Sequence, residues 1–187
     1  MKDVLRYSKK RSGTKESSAE HSWRLALMAF MTVKELNLGI DVLQSVKLAL
    51  VHDVVESITG DIDAVRIFKK EVSKEEKQRL EEEAIEKLKD ILLFEAGLDI
   101  YELWQEYNKA STREARFIKA LDKIETSLHL AESGHEKYKY PEFLASYADE
   151  AVKNFPELLP MLKIVKEKLK EEFIKGGFEW KEEYEKV

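Results

Sequence analysis

One short segment places a histidine and two acidic side chains within an otherwise apolar stretch. Residues 48–55 are apolar except for His52 and Asp53, and Glu56 follows them directly. On a helix, Glu56 lies three residues from Asp53 and four from His52, so the three side chains share one face, with Cβ atoms about 5–6 Å apart. Because a buried carboxylate is unfavourable unless it is paired or ligated, the segment indicates either a structural hydrogen-bonded cluster or one wall of a polar cavity.

Two further residues of the same chemical types occur elsewhere in the chain. His21 precedes a long apolar run, and Asp122 stands at the edge of an apolar helix face. Taken singly, His21 predicts a surface or satisfied core histidine, and Asp122 predicts an ion pair with a nearby lysine. With His52 and Asp53 they form an H…HD…D set, whose two imidazoles and two carboxylates suit Zn, Mn, Fe, Co or Ni. Such a set leaves room for water and substrate on the ion.

Helices are the elements predicted to position these side chains. Ser17-Ser18-Ala19-Glu20 has the S-x-x-E form of a capping box and predicts a helix that runs to about Leu38 and stops at Gly39. Asp41 can cap a second helix, over residues 42–58, that carries the His-Asp pair. Residues 61–73 fit either a loop or a loop with a short helix. Further helices are predicted over 74–96 with Gly97 as the end, over 99–109, from Ser111 or Thr112 to about Ser133, from Pro141, and from Pro156 to about Lys175.

The predicted fold class is all-α, because no segment shows the period-two alternation of a strand and no repeat or linker interrupts the helical pattern. A chain of 187 residues is long enough for one core and short for two. We predict a single compact domain over residues 1–187, with a metal-binding core at about 17–126 and C-terminal helices over 141–187 packing on it. Trp23, Phe30 and Trp104 are predicted to be core residues, and Phe178, Trp180 and Tyr184 to pack on the body of the protein or on a partner chain.

Composition excludes several classes of protein. Cysteine is absent, so any metal must be held by histidine and carboxylate side chains. The net charge of -5 argues against general binding to nucleic acid. The longest apolar run, residues 25–33, is too short to span a membrane, and the N-terminus lacks the apolar stretch of a signal peptide. We therefore expect a cytoplasmic protein that binds neither membranes nor nucleic acid.

The first 15 residues are basic although the chain as a whole is acidic. Their positive side chains are Lys2, Arg6, Lys9, Lys10, Arg11 and Lys15, and Asp3 is their only acidic residue. This segment predicts either a solvated basic arm or an arm that lies near an anionic substrate.

Five segments of the chain resemble the HD-domain 5′-deoxynucleotidase family of the HD superfamily, over about residues 4–150. They are Arg6-Tyr7, residues 16–22 (ESSAEHS), residues 49–61 (ALVHDVVESITGD), residues 102–107 (ELWQEY) and residues 115–125 (ARFIKALDKIE). The H-D-x-x-E-x-x-x-G-D stretch beside E-H-S is the most specific part. The resemblance implies a compact helical domain, commonly a homodimer, that hydrolyses deoxynucleoside 5′-monophosphates with a divalent metal.

The resemblance also implies roles for individual residues. Its metal ligands are His21, His52, Asp53 and Asp122. Glu56 matches the catalytic acid/base, and Asp61 matches a catalytic-site residue that contacts substrate or water. Arg6 matches a phosphate-side arginine. Tyr7 departs from the family, which usually has a tryptophan there that shapes the pocket around the sugar.

Two other functions compete with nucleoside monophosphate hydrolysis. One is another HD-type activity, such as a phosphodiesterase or a hydrolase of nucleotide polyphosphates, although only the N-terminal segment offers extra basic residues for a larger substrate. The other is a non-catalytic helical interaction module with a structural metal. Glu56 and Asp61 favour an enzyme, because a purely structural site needs no extra carboxylates beside its ligands.

Overall fold

The computed structural model describes residues 1–10, 12–92 and 94–186, and these residues are mostly helical. The elements are β1 Leu5–Lys9, β2 Lys15–Ser17, α1 Ser18–Glu35, α2 Val42–Val51, α3 Glu56–Thr59, α4 Ala64–Phe68, α5 Lys74–Ile91, α6 Glu95–Lys109, α7 Arg113–Ser133, α8 Pro141–Ala145, α9 Asp149–Lys153 and α10 Leu159–Lys175. Short 3₁₀ turns occupy His135–Lys137, Pro156–Leu158 and Glu182–Glu185. The predicted all-α class is confirmed. Within the described residues, no helix has the length and apolar character needed to cross a membrane.

A small two-stranded sheet at the N-terminus is the exception, so the expectation that the chain has no strand is wrong there. β1 pairs with β2 through a tight turn in which Lys10 and Thr14, and Gly13 and Lys10, are joined by backbone hydrogen bonds of 2.8 Å. Gly13 has a φ of 87°, which a glycine adopts without strain. The strands are too short to show an alternating pattern. Arg11, one of the basic residues, lies outside the described residues.

The contacts divide the chain into two compact units. The first comprises Met1–Tyr7 and Glu16–Ile118, and the second comprises Ser8–Lys15 and Lys119–Val187. Helix α7 begins in the first unit and continues into the second. The prediction that residues 1–187 form one domain stays a prediction.

The core of the first unit is built by α1, α2, α5 and α6. α1 packs against α2, α5 against α6, and α2 against α6. Val55, Ala84, Ile85 and Trp104 form a buried cluster, which anchors the chain immediately after the His-Asp pair. The prediction that Trp104 is a core residue is confirmed.

The helix that carries the His-Asp pair is shorter than predicted. α2 ends at Val51, and α3 begins at Glu56. Between them the backbone tightens: the Val54 N–H donates to the Val51 carbonyl at 2.9 Å, and the Glu56 N–H donates to the Asp53 carbonyl at 3.0 Å. These bonds span three residues instead of four, as in a 3₁₀ turn, where side chains three apart are nearly eclipsed. Asp53 and Glu56 therefore still share a face. The prediction of one continuous helix over 42–58 is wrong.

The boundary between α5 and α6 also differs from the prediction. α5 ends at Ile91 instead of about residue 96, and Gly97 lies inside α6 instead of ending the preceding helix; residue 93 is outside the described residues. A Cβ at Gly97 would lie only 2.4 Å from the Lys89 carbonyl oxygen. Gly97 is thus required for the close approach of α6 to the end of α5. In the sequence alone, a glycine kept for packing cannot be told from a glycine that ends a helix.

The second unit contains the C-terminal helices and the aromatic tail. The ring of Phe173 on α10 makes edge-on contacts with Phe178 and Trp180, and Trp180 contacts Tyr184 in the same way. A buried ammonium group, that of Lys166, donates to the Asp149 carboxylate at 2.8 Å. The rings of the tail therefore pack on α10, which is one of the two predicted arrangements.

The predicted burial of two aromatic residues on α1 is wrong. Trp23 is 66% exposed and Phe30 is 43% exposed, whereas Leu25 and Ala29 on the same helix are fully buried. Leu25 and Ala29 occupy the inner face of α1, so Trp23 and Phe30 are turned away from the core. α1 is therefore apolar on an outward face as well as on its inward face.

Candidate metal centre

Three of the predicted metal ligands converge in the first unit. The Nε2 atoms of His21 and His52 lie 3.9 Å and 3.0 Å from Asp53 Oδ2, respectively. The two imidazole rings are 5.2 Å apart, and one ligand atom from each of the three residues lies within 4.8 Å of the others. Both histidines are buried. Atoms this close around one point can coordinate a single ion.

Local structure places His21 at this point. The predicted capping box is present: the Ser17 hydroxyl accepts a hydrogen bond from the Glu20 N–H at 3.3 Å, and the Glu20 carboxylate accepts one from the Ser17 N–H at 2.8 Å. These bonds satisfy two backbone donors that α1 would otherwise leave open. The first turn of α1 is therefore fixed, and His21 follows it directly.

The hydrogen bonding of His52 indicates that a cation fits the site. His52 Nδ1 lies 2.8 Å from the Ala49 carbonyl, which can only accept, so Nδ1 carries the proton. In the neutral ring, Nε2 then presents a lone pair 3.0 Å from the Asp53 carboxylate. Among the described residues, this buried Nε2 has no hydrogen-bond partner. Two lone pairs at this distance repel unless a proton or metal lies between them, and a backbone carbonyl on the other ring nitrogen is the usual support for a histidine ligand.

Asp53 is held as a carboxylate. Burial by itself would raise the pKa of this carboxyl, but His52, Arg6 and His21 together lower the pKa well below its ordinary range. The Arg6 guanidinium donates to Asp53 Oδ2 at 2.9 Å and lies 3.6 Å from Glu16. Asp53 is therefore ionised and ready to bind a cation at neutral pH.

Glu56 is the opposite case, a carboxyl group whose pKa is raised in the metal-free protein. Burial raises its pKa to about 8, the negative charges of Asp53 and Asp61 add to this effect, and a hydrogen bond from Ser18 and the charge of Arg6 oppose it. The Ser18 hydroxyl donates to Glu56 Oε2 at 2.5 Å. Two neighbouring carboxyl groups whose pKa values are pushed apart are the usual basis for distinct roles in one site.

Asp61 connects the N-terminal strand to the turn after α3. Its Oδ2 atom accepts a hydrogen bond from the Tyr7 backbone N–H at 3.1 Å. Burial raises the pKa of Asp61, while Arg6 lowers it and Asp53 raises it. The structure thus brings Arg6 to the His-Asp pair and ties Tyr7 to Asp61, within the first unit.

Asp122 lies on α7 in the second unit. It is buried, and the Lys123 ammonium donates to its Oδ2 atom at 2.9 Å. Lys123 also lies over the ring of Tyr147, 5.1 Å from the centroid. The ion pair that a single aspartate predicts is therefore present, and the assignment of Asp122 as the fourth ligand stays a prediction.

Three residues around the site were not assigned a role from the sequence. Ser18 holds Glu56, Glu16 pairs with Arg6, and the Tyr107 ring meets His52 edge-on at 5.3 Å. Ser18 and Glu16 flank the capping serine. Their position at the start of the helix that carries His21 was the sequence feature that could have placed them at the site. Tyr107 lies on α6, and its contact depends on tertiary packing that no local pattern reveals.

The raised pKa of Glu56 gives a testable pH dependence of stability in the metal-free protein. The folded-state pKa of about 8 lies above the ordinary value of 4.5, so folding binds this proton, and the associated stability is present below pH 4.5 and lost as the pH rises through 8. We expect Glu56→Gln to escape this loss. In chelator-treated protein, its free energy of unfolding relative to wild type should rise from pH 4.5 to pH 8, as measured by urea denaturation.

A matched control is Glu167→Gln, which removes an exposed carboxylate on α10. This variant should follow the wild-type pH profile throughout. A constant difference between Glu56→Gln and wild type across this pH range would contradict the assigned protonation state.

Comparison with known sequences places the chain in a family. The sequence model of the HD domain matches residues 1–174. The human 5′-deoxynucleotidase HDDC2 is 38% identical over 148 residues, which cover 79% of this chain and 69% of the human protein. The Xenopus laevis 5′-deoxynucleotidase HDDC2 is 35% identical over 154 residues, covering 81% of this chain and 73% of that protein.

Solved structures agree on the fold. A predicted metal-dependent phosphohydrolase from Magnetospirillum magnetotacticum superposes with a TM-score of 0.76 at 24% identity, covering 95% of this chain and 90% of that one. A conserved hypothetical protein from Pyrococcus furiosus superposes with a TM-score of 0.60 at 26% identity, covering 83% and 91%.

The fold and the site define a helical protein with a buried His-Asp cluster that could hold a divalent metal. The chain belongs to the HD-domain family. The prediction of an HD-domain phosphohydrolase related to the 5′-deoxynucleotidases is confirmed by the family match and by these relatives.

Proposed function

We propose that this chain removes the 5′-phosphate from deoxynucleoside monophosphates and that the reaction requires one divalent transition metal. The observation that carries the proposal is the convergence of His21, His52 and Asp53 beside Glu56, a buried carboxyl group. The names of the curated relatives support the choice of substrate.

The ligand set would be His21, His52 and Asp53, with Asp122 as the fourth member that the family resemblance implies. A divalent metal bound there would offset the charge of the phosphate and lower the pKa of an attacking water. Arg6 adds positive charge beside Asp53, and it is proposed to bind the phosphate side of the substrate. The hydrogen bond from Tyr7 to Asp61 fixes the strand that carries Arg6.

Glu56 is proposed to move the proton that the reaction needs. As water adds to phosphorus and the bond to the 5′-oxygen breaks, the leaving oxygen requires a proton, which a protonated Glu56 would supply. Protonation by a positioned side chain avoids the release of a strongly basic alkoxide. Ser18 keeps the carboxyl group of Glu56 in place, and Asp61 is proposed to contact the substrate or a water beside it.

A panel of nucleotides tests this function. With metal-loaded protein, we expect phosphate release from deoxynucleoside 5′-monophosphates and no release from the matching 3′-monophosphates, as the names of the curated relatives suggest. Ribonucleotides belong in the same panel. Tyr7→Trp restores the residue that the family usually has, and it should raise the ratio of kcat/KM for dAMP to that for AMP.

The same panel separates the alternatives. Hydrolysis of a phosphodiester or of a nucleoside triphosphate, with no release from any 5′-monophosphate, would replace the proposal by another HD-type activity. No hydrolysis of any substrate by metal-loaded protein would indicate a structural metal in an interaction module.

The family resemblance also supports a homodimer, and a cytoplasmic location is expected from the sequence. Both stay predictions for this chain. A molecular mass by light scattering near 22 kDa, the mass of one chain, would contradict the homodimer.

A further inference from the structure

Helix α1 carries a row of exposed apolar side chains on its outward face. Trp23 is 66% exposed, Leu27 44%, Phe30 43% and Met31 54%. Scattered exposed apolar residues are common, but four large ones within nine residues of one helix are of a kind that marks interaction sites. This patch lies outside the metal centre, and the proposed chemistry makes no use of it.

The spacing of the row is that of a helix–helix seam. Trp23, Leu27 and Phe30 follow each other at intervals of four and three residues, the pattern by which one helix packs along another. Glu20 precedes Trp23 by three residues, and Lys34 follows Phe30 by four, so the same line begins with an acidic residue and ends with a basic one. Both of these residues are exposed.

With an acidic residue at one end and a basic residue at the other, the row is complementary in charge to a second copy that runs in the opposite direction. Suppose that two α1 helices pack antiparallel about a two-fold axis at Leu27. Each residue that precedes Leu27 in one copy then faces the residue that follows Leu27 by the same number of positions in the other copy. Glu20 of one copy then meets Lys34 of the other, and Trp23 meets Met31. Leu27 meets its own counterpart at the axis. Antiparallel helices also place opposite ends of their dipoles side by side.

The remaining position in this register is also complementary. Arg24 faces Phe30 of the other copy, and a cation over an aromatic face is attractive. The Phe30 ring already accepts such a contact within the chain, from Lys34, whose Nζ lies 4.3 Å from the ring centroid. A parallel arrangement would instead bring like charges together at both ends of the row.

The size of the patch suits this partner. Four side chains with these exposed fractions present on the order of 500 Å² per copy, which is more than half of the roughly 800 Å² that each partner contributes to a standard interface. The long flanking side chains of Glu20, Arg24 and Lys34 extend the buried area toward that value.

We propose that the exposed face of α1, defined by Trp23, Leu27, Phe30 and Met31, is the surface that binds a second copy of this chain, in an antiparallel arrangement about Leu27. The inference names the surface for the proposed homodimer and does not rest on the proposed phosphatase activity. A chain without phosphatase activity could dimerise in this way, and an active monomer would leave the proposed chemistry intact.

The oligomeric state of matched variants tests the surface. Wild type should have about twice the mass of one chain by light scattering at 100 µM, and Leu27→Arg should have the mass of one chain. Ile164→Arg places the same charge at a 57% exposed position on α10 and should remain dimeric. Unchanged circular dichroism would show that the variants fold. A monomeric wild type, or a Leu27→Arg dimer as stable as wild type, would overturn the proposal.

Single cysteines test the two-fold axis directly, because the chain contains none of its own. Leu27→Cys should form a disulfide-linked dimer under mild oxidation, since its counterpart lies across the axis, whereas Ile164→Cys should remain unlinked. A disulfide requires Cα atoms about 4.4–6.8 Å apart. A stable dimer in which Leu27→Cys fails to cross-link would place the contact elsewhere.

Discussion

Replacing Glu56 by glutamine should reduce turnover of a deoxynucleoside 5′-monophosphate by about 10²–10⁴-fold, the usual contribution of a general acid or base. The amide has nearly the shape of the carboxyl group and can still accept the hydrogen bond from Ser18, so the fold should be retained. Metal content should also be retained, because His21, His52 and Asp53 converge without Glu56. A loss of rate without a loss of metal is the signature of a residue that moves a proton.

The measurement combines metal stoichiometry with the rate of phosphate release from dAMP, for wild type and Glu56→Gln. Glu167→Gln serves as the control for a lost surface carboxylate and should match wild type in both. Near-wild-type turnover in Glu56→Gln would exclude Glu56 as the acid/base, and Asp61 would be the next candidate. A parallel loss of metal would make Glu56 a ligand.

His52→Ala should lose metal and stability together. His52 presents its Nε2 atom to Asp53 from a buried position, so its removal takes away a ligand and leaves the carboxylate without its neighbour. Loss of a residue that only supports a ligand already weakens metal binding by roughly 10–100-fold, and loss of the ligand itself should weaken it further. A ligand that binds only the folded state stabilises by about 2.7 kcal/mol at 100 times its Kd, and the variant should lose that gain.

The measurement is thermal unfolding with and without added metal, together with metal content after dialysis. Wild type should show a clear rise in Tm on metal addition, and His52→Ala should show none. His135→Ala is the matched control, because its side chain pairs with Glu172 in the second unit. Asp122→Ala, in the same assay, tests the fourth ligand. Equal metal occupancy in wild type and His52→Ala would refute the ligand assignment.

The parts of the fold that are local in sequence could be predicted from it. The capping box at Ser17 and Glu20 sets the start of α1, and Thr112 caps α7 by accepting a hydrogen bond from the Ala115 N–H at 3.1 Å. Each depends on side chains within four residues of the helix end. The convergence of His21 with His52 and Asp53 was predictable from the family resemblance, because each residue taken singly also fitted a structural role.

Features that depend on packing between distant segments could not be predicted. Gly97 resembles a helix stop, but its role is to let α6 approach the Lys89 carbonyl. Trp23 and Phe30 resemble core residues, because hydrophobicity alone does not show which side of α1 faces inward. The tightened backbone between Val51 and Glu56 leaves no sign in residue types, since both helical and 3₁₀ turns accept them.

The central claim is that this chain is a metal-dependent phosphohydrolase of deoxynucleoside 5′-monophosphates. The most direct test strips the protein with a chelator, returns each of Mn, Co, Ni, Zn and Fe in measured amounts, and follows phosphate release from dAMP. We predict no turnover in the stripped protein and a rise in proportion to added metal that saturates at one ion per chain. Full turnover by the stripped protein, or no turnover at any metal loading, would contradict metal-dependent hydrolysis of deoxynucleoside 5′-monophosphates.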